Sequence, residues 1–103
     1  RKKWIIGSLN YNGTIYIDSG AARALSSGKS LLAAGITKIN GNFKKGENVI
    51  ILDQNNVQLA RGLSSFSSAE IDKIKGKQSK EIETILGYLS KTEVIHKDDM
   101  VLL

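Results

Sequence analysis

The 103-residue chain has no cysteine, no proline, one histidine and few aromatics: one Trp, three Tyr and two Phe. Without cysteine there is no disulfide framework, thiolate metal site or redox dithiol, a composition compatible with a reducing cytoplasm. The lone His96 has no Cys or second His to complete a metal set. Apolar runs stop at four residues, as in Val49-Ile50-Ile51-Leu52, far short of the ~20 that a membrane helix needs. The scarcity of aromatics argues against a stacking platform for unpaired bases. The chain starts Arg1-Lys2-Lys3-Trp4, with neither an initiator Met nor a charged-then-apolar leader. It is therefore expected to be a piece of a longer protein.

What is present describes one packed domain. Hydrophobic residues make up 41% and charged residues 24%, near the globular average. A chain of this size buries roughly 65% of its unfolded surface, enough for a core without staples. The net charge is +5, and it is unevenly placed. Residues 1–61 hold nine Lys+Arg and three Asp+Glu, whereas residues 62–103 hold six and seven. A basic first part can attract a polyanion by counterion release, but +5 is also an ordinary solubility charge.

The first two-thirds reads as β. Asn12-Gly13 suggests a tight turn closing a hairpin that begins with Trp4-Ile5-Ile6. Thr14-Ile15-Tyr16-Ile17-Asp18 alternates like a half-buried strand. Asp18 or Ser19 caps a short helix over residues 20–27, with Gly28 as its left-handed terminator. Ile36-Thr37-Lys38-Ile39 is expected to be a strand with a bulge or altered register. Val49-Ile50-Ile51-Leu52 reads as a strand covered on both faces, returned by residues 57–63 after the Asp53-Gln54-Asn55-Asn56 turn. Helix signals follow. Ser67-Ser68-Ala69-Glu70 is a capping box ahead of Ile71 and Ile74, with Gly76 ending that helix. A further helix from Ser79 or Lys80 aligns Ile82, Ile85, Leu86 and Leu89 on one stripe, expected to pack internally. Met100-Val101-Leu102-Leu103 is a closing strand.

Familiar catalytic motifs fail on inspection. Gly28-Lys29-Ser30 ends like a phosphate-binding loop, but the first glycine of that motif would fall on Arg23, and the segment follows a helix instead of opening one. His96 has no Ser or Cys nucleophile at a recognised spacing. Glu81 and Glu83, two apart on a helix, face different sides. Asn12-Gly13-Thr14 matches a glycosylation sequon in spacing alone and is read as the turn. The remaining candidate surface is a polar stripe of Arg23, Ser26 and Ser27 leading into Gly28-Lys29-Ser30, supported by Lys38 and Arg61. There glycine lets a phosphate approach the backbone and the cations hold it.

Ile17-Asp18-Ser19-Gly20-Ala21-Ala22-Arg23-Ala24-Leu25, Gly28-Lys29-Ser30-Leu31-Leu32-Ala33-Ala34-Gly35-Ile36, Gly41-Asn42-Phe43, Gly46-Glu47 and Ala60-Arg61-Gly62 resemble, in that order, a PUA domain. That module is named after pseudouridine synthases and archaeosine transglycosylases. The flanks Arg1-Lys2-Lys3-Trp4-Ile5, Lys75-Gly76-Lys77-Gln78-Ser79, Ile85-Leu86-Gly87-Tyr88 and Glu93-Val94-Ile95-His96 are similar to the C-terminal region of bacterial glutamate 5-kinases. The resemblance implies a mainly β fold with short helices (α+β), a mixed β pseudo-barrel. One domain would span residues 1–103, with its core over about 14–90 and its closing strand over 100–103. It also implies a cytoplasmic, homo-oligomeric parent that phosphorylates glutamate in the first step of proline synthesis. ATP and magnesium would be held by a preceding amino-acid-kinase domain, so this chain carries no catalytic, cofactor or metal residues. Its expected role is regulation or assembly beside that kinase domain, with no membrane contact. The alternative is RNA binding. In RNA-binding members the first helix, the glycine loop and the closing strand touch RNA. That assigns Arg23, Ser27, Gly28, Lys29, Ser30, Leu31, Lys38, Val101 and Leu102 as contact residues here.

Overall fold

The computed structural model describes residues 11–88 and 91–103. Strand β1 (Gly13–Ile17) buries Ile15 and Ile17 and half-exposes Thr14 and Tyr16, as its alternation demands. Asp18 stops the strand and caps helix α1 (Ser19–Ser26), its carboxylate accepting the Ala21 N–H at 2.8 Å. After a two-residue strand β2 (Leu31–Leu32) and a 3₁₀ turn (Ala33–Gly35), strand β3 (Ile36–Gly41) returns antiparallel to β1. Pairing steps from Tyr16/Lys38 to Ile17/Ile36, so Thr37 is the extra residue of the expected bulge. The Thr37 hydroxyl donates to the Tyr16 carbonyl at 3.2 Å.

Strand β4 (Asn48–Leu52) sits in the middle of the sheet, parallel to β1 and antiparallel to β5 (Gln58–Leu63). Val49, Ile50 and Ile51 are all at most 1% exposed. That is why their run is continuous instead of alternating. The final strands, β6 (Glu93–Ile95) and β7 (Met100–Leu102), are joined by a 3₁₀ turn at Lys97–Asp99. The five-stranded sheet runs β3-β1-β4-β5-β7, and β2 pairs with β6 in a second, two-stranded sheet. The architecture is the expected mixed β one with short helices.

The Asn12-Gly13 turn is not what forms. Gly13 lies in the extended backbone of β1 opposite Gly41, and the Trp4-Ile5-Ile6 strand of the supposed hairpin lies outside the described residues. Glycine is needed at 13 for space: a Cβ there would stand 2.3 Å from the Phe43 ring.

Helix α2 (Ser68–Ile74) carries the capping box in full. Ser67 Oγ accepts the Glu70 N–H at 3.2 Å, and Glu70 Oε1 accepts the Ser67 N–H at 2.8 Å. Helix α3 (Ile82–Leu86) follows a 3₁₀ turn at Ser79–Glu81 and is shorter than its apolar stripe suggests, because Gly87 at φ 82 terminates it. Ile82 is buried, and Ile85 and Leu86 pack against the same core. Leu89, the last residue of the stripe, lies outside the described residues. The core itself runs from Ile15 to Met100, so the late strands contribute to it as well as the expected central segment.

The Tyr88 hydroxyl donates to Glu70 Oε2, tying the chain beyond α3 to the start of α2. Partial burial pushes the Glu70 carboxyl up, but the Tyr88 hydroxyl, the Ser67 donors and the nearby Lys45 charge together bring it below its ordinary value. The same bond raises Tyr88. A carboxyl lowered in the folded state contributes stability that is complete above its unfolded pKa and is lost as pH falls through the folded value. Tyr88→Phe removes the largest lowering contribution. The stability to urea, followed by circular dichroism, is therefore expected to fall at neutral pH and to converge with that of the unaltered chain as pH drops through the folded value of Glu70. A difference as large at acid pH as at neutral pH, or none at either, would mean that Tyr88 does not hold Glu70 ionised in solution.

Candidate functional site

The site grows from the end of α1. Ser27 N–H is shared between the Arg23 and Ala24 carbonyls, Gly28 N–H donates to Leu25 O at 2.9 Å, and Lys29 N–H reaches back to Ala24 O at 3.0 Å. This arrangement needs a left-handed residue, and Gly28 supplies it at φ 81 with open space around its Cβ position. Its glycine is a matter of backbone conformation, unlike that of Gly13.

The chain is then fastened to the C-terminal strands. Ser30 Oγ accepts the Lys97 N–H at 2.8 Å, and Leu31 pairs with Ile95. His96 organises the turn between β6 and β7: its Nδ1 accepts the Asp98 N–H at 3.1 Å and its carbonyl accepts the Asp99 N–H at 2.8 Å. The only histidine is thus a capping residue. Its ring also lies 3.9 Å from the Glu93 carboxylate and 3.6 Å from that of Asp98. No Ser or Cys nucleophile accompanies these contacts, and no group of three potential metal ligands occurs among the described residues.

Two clefts flank the glycine turn. One, of about 290 Å³, is lined by Leu25, Gly28, Lys97, Met100, Val101 and Leu102. The other, of about 430 Å³, lies between α1 and β2 and is lined by Ala21, Ala24, Lys29, Leu32, Gly35 and Glu93, among others. Two of its lining residues approach closely: a Cβ on Gly35 would stand 2.4 Å from that of Ala21.

Of the sequence-assigned residues, Gly28, Val101 and Leu102 share the first cleft, and Lys29, Ser30 and Leu31 line the second. Arg23 and Ser27 are exposed at the end of α1, and neither is among the residues that line the two clefts. Lys38 is not brought to them. It sits on β3, at the opposite edge of the sheet from β7, with its ammonium 4.5 Å from the centre of the Tyr16 ring. Arg61, on β5, lies over the ring of Tyr11 at 5.4 Å. Sequence reasoning missed Lys97, Leu32 and Glu93. Only the pairing of β2 with β6, two strands too short to show a period, brings the last two together.

The electrostatics differ from those implied by the count along the chain. Of the six cations among the described residues up to position 61, Arg23 and Lys29 stand at the turn; Lys97 joins them from the C-terminal part. Asp18, Glu93 and Asp98 line the same clefts. With Arg23 at the helix end counted in, three positive and three negative side chains among the described residues leave this face close to neutral, without the single-sign field that gathers a polyanion. No helix among the described residues is long and apolar enough to cross a membrane.

Comparison with known proteins places this geometry in a family. The family model described as "PUA domain" matches residues 13–86. Among curated relatives, the chain is 64% identical to the glutamate 5-kinase of Pelagibacter ubique and 50% identical to that of Bartonella henselae, in each case over 98% of this chain and 27% of the relative. The chain therefore spans about a quarter of the length of the curated relatives it matches. Among solved structures, a PUA domain from Aeropyrum pernix K1 superposes with a TM-score of 0.62 at 22% identity, covering 82% of this chain and 41% of that one. A chain of the archaeal box H/ACA Nop10-Cbf5 complex does so with a TM-score of 0.58 at 26% identity, over 81% of this chain and 24% of that one. Matched by the family model over most of its length and sharing the fold, the chain belongs to the PUA domain family.

Proposed function

We propose that the chain is the non-catalytic PUA domain of a glutamate 5-kinase and serves that enzyme's regulation or assembly. The observation that carries this reading is the asymmetry of the match: 98% of this chain aligns with the Pelagibacter ubique kinase, yet this is 27% of that relative. The remaining part of such a parent would supply the transfer of phosphate from ATP to glutamate at the start of proline synthesis, and would hold ATP and magnesium. The parent would work as a homo-oligomer in the cytoplasm. Within this chain, the clefts beside Gly28 have the makings of a contact surface and lack those of a reaction centre. They combine apolar walls with balanced charge and hold no nucleophile activated by a base.

The purified chain given glutamate, ATP and magnesium is expected to form no ADP; sustained turnover would overturn the reading. A full-length parent with this domain deleted is expected to keep glutamate-dependent ADP formation while its effector response or its mass in solution changes. Deletion with neither change would remove the accessory role. An RNA-binding module would behave differently: affinity for RNA at low salt would fall steeply as salt rises, and Arg23→Ala or Lys29→Ala would each lower the salt slope by about 1. The balance of charge among the described residues of that face favours the first reading, and a low-salt titration of the chain against RNA separates the two.

A further inference from the structure

We propose that Asn40-Gly41 is a spontaneous modification site, at which the chain cyclises on itself and converts Asn40 into isoaspartate and aspartate. The sequence contains two Asn-Gly pairs, Asn12-Gly13 and Asn40-Gly41. They lie at the same end of the sheet, because Gly13 stands opposite Gly41 and Thr14 opposite Asn40. A small open pocket of about 180 Å³ gives water access to both. Their surroundings nevertheless differ.

Gly13 is buried, its vacant side filled by the Phe43 ring, and the Asn12 N–H is held by the Asn48 carbonyl at 2.7 Å. Asn40 and Gly41 are both exposed, on a strand at the edge of the sheet. The Gly41 N–H points to the side chain of its own neighbour, donating to Asn40 Oδ1 at 3.0 Å. The nitrogen that must attack therefore already faces the amide it attacks. Glycine is also held at this position by geometry: φ is 90, and a Cβ would meet the Asn12 carbonyl oxygen at 3.0 Å. The site thus keeps the least hindered nucleophile beside Asn40.

The reaction needs only water. Gly41 nitrogen loses its proton to solvent base and attacks Asn40 Cγ. The new C–N bond closes a five-membered succinimide, while the Cγ–Nδ2 bond breaks and ammonia leaves with a proton. Water then adds to one of the two ring carbonyls. Opening on one side gives aspartate; opening on the other gives isoaspartate, in which the main chain runs through the former side chain and gains a methylene. That extra backbone atom falls where Thr14 and Gly13 pair with Asn40 and Gly41. It shifts the register at the end of β3 and adds a negative charge there.

The test is incubation of the folded chain at mildly alkaline pH and physiological temperature, with peptide mapping by mass spectrometry and an isoaspartate assay. Asn40 is expected to convert with first-order kinetics while Asn12 stays amidated, and a more acidic species is expected on isoelectric focusing. In urea both sites should convert at similar rates, which would assign the difference to the fold. Asn40→Gln, on an exposed side chain, should fold normally and lose the conversion at position 40, since its ring closure is slower. Conversion of Asn12 ahead of Asn40 in the folded chain, or protection of Asn40 by folding as strong as that of Asn12, would overturn the proposal.

Discussion

Gly13→Ala is expected to destabilise the domain by about 3 kcal/mol, and the loss should vanish when Phe43 is shortened. The added methyl would lie 2.3 Å and 2.7 Å from two atoms of the Phe43 ring and 3.0 Å from the Asn40 carbonyl oxygen. The ring cannot swing clear, because Phe43 is 1% exposed and belongs to the core, and its backbone is held by Ser68 Oγ at 3.2 Å and by its own carbonyl accepting Ser68 N–H at 2.9 Å. Phe43→Ala alone is expected to cost about 3–5 kcal/mol through the cavity it leaves. With the ring gone, the methyl at position 13 occupies part of that cavity, so Gly13→Ala should be neutral or slightly stabilising in the Phe43→Ala background. A double-mutant cycle by urea denaturation measures the coupling, which is expected to be about 3 kcal/mol. Simple additivity of the two losses would show that the methyl acts through backbone conformation instead of through the ring.

That pair also marks the limit of what one sequence discloses. Local signals fixed by neighbouring residues were legible: the alternation of β1, the Asp18 cap, the Gly28 terminator, the Ser67/Glu70 box and the buried run of β4 all form where their chemistry places them. The two caps and the terminator depend on contacts within a few residues, and the two strands are marked by the period of their apolar side chains, so spacing specifies all five. Gly13 was misread because two different needs call for the same residue. A tight turn and a close tertiary approach both select glycine, and nothing near Asn12 says that Phe43, thirty residues on, will lie against it. Helix α3 was overextended for a related reason. Its apolar spacing continues to Leu89, but Gly87 ends the helix at Leu86, and a terminator outranks periodicity when it adopts positive φ.

The candidate site was legible in part. Ser27, Gly28, Lys29 and Ser30 are consecutive, so their grouping required only the helix end to be placed correctly. Joining them to Val101 and Leu102 rested on family resemblance, and in the structure Gly28 does share a cleft with those residues. Lys38 entered through its charge, and the strand order leaves it at the far edge of the sheet. Among the described residues the net charge of the first part is likewise not carried onto the face, since charge counted along a chain is not charge summed over a surface. The acidic Glu93 and Asp98 that offset Arg23 and Lys29 arrive from a segment more than sixty residues later, brought there by the pairing of Leu31 with Ile95.

The second large effect is expected at Gly62, on which the integrity of that face depends. Gly62 lies in β5, paired with Val49 on one side and Met100 on the other. A Cβ there would meet Ile95 Cγ2 at 2.7 Å, the Asp99 carbonyl oxygen at 2.9 Å and Met100 Cα at 3.4 Å. Two of those three atoms are backbone, so relief requires moving the β6–β7 connection and not merely a side-chain rotation. Gly62→Ala is expected to destabilise the chain by about 2–3 kcal/mol. More tellingly, it should lift the Lys97–Asp99 turn from the sheet. That turn bonds Ser30 through the Lys97 N–H and carries the His96 cap, so its displacement frees the glycine turn of α1 from its anchor. Amide exchange is then expected to quicken at Lys97 and Asp98 while β1 and β4 stay protected. Gly28→Ala provides the contrast: with nothing within 4 Å of its Cβ position and φ at 81, it strains the end of α1 by about 1 kcal/mol and leaves the β6–β7 connection in place. Equal exchange at Lys97 in the two variants would mean that the face is held by the helix end and not by the close approach of β5 to the final strands. Selective exchange in Gly62→Ala would make Gly62, which touches neither cleft, the residue that positions both walls.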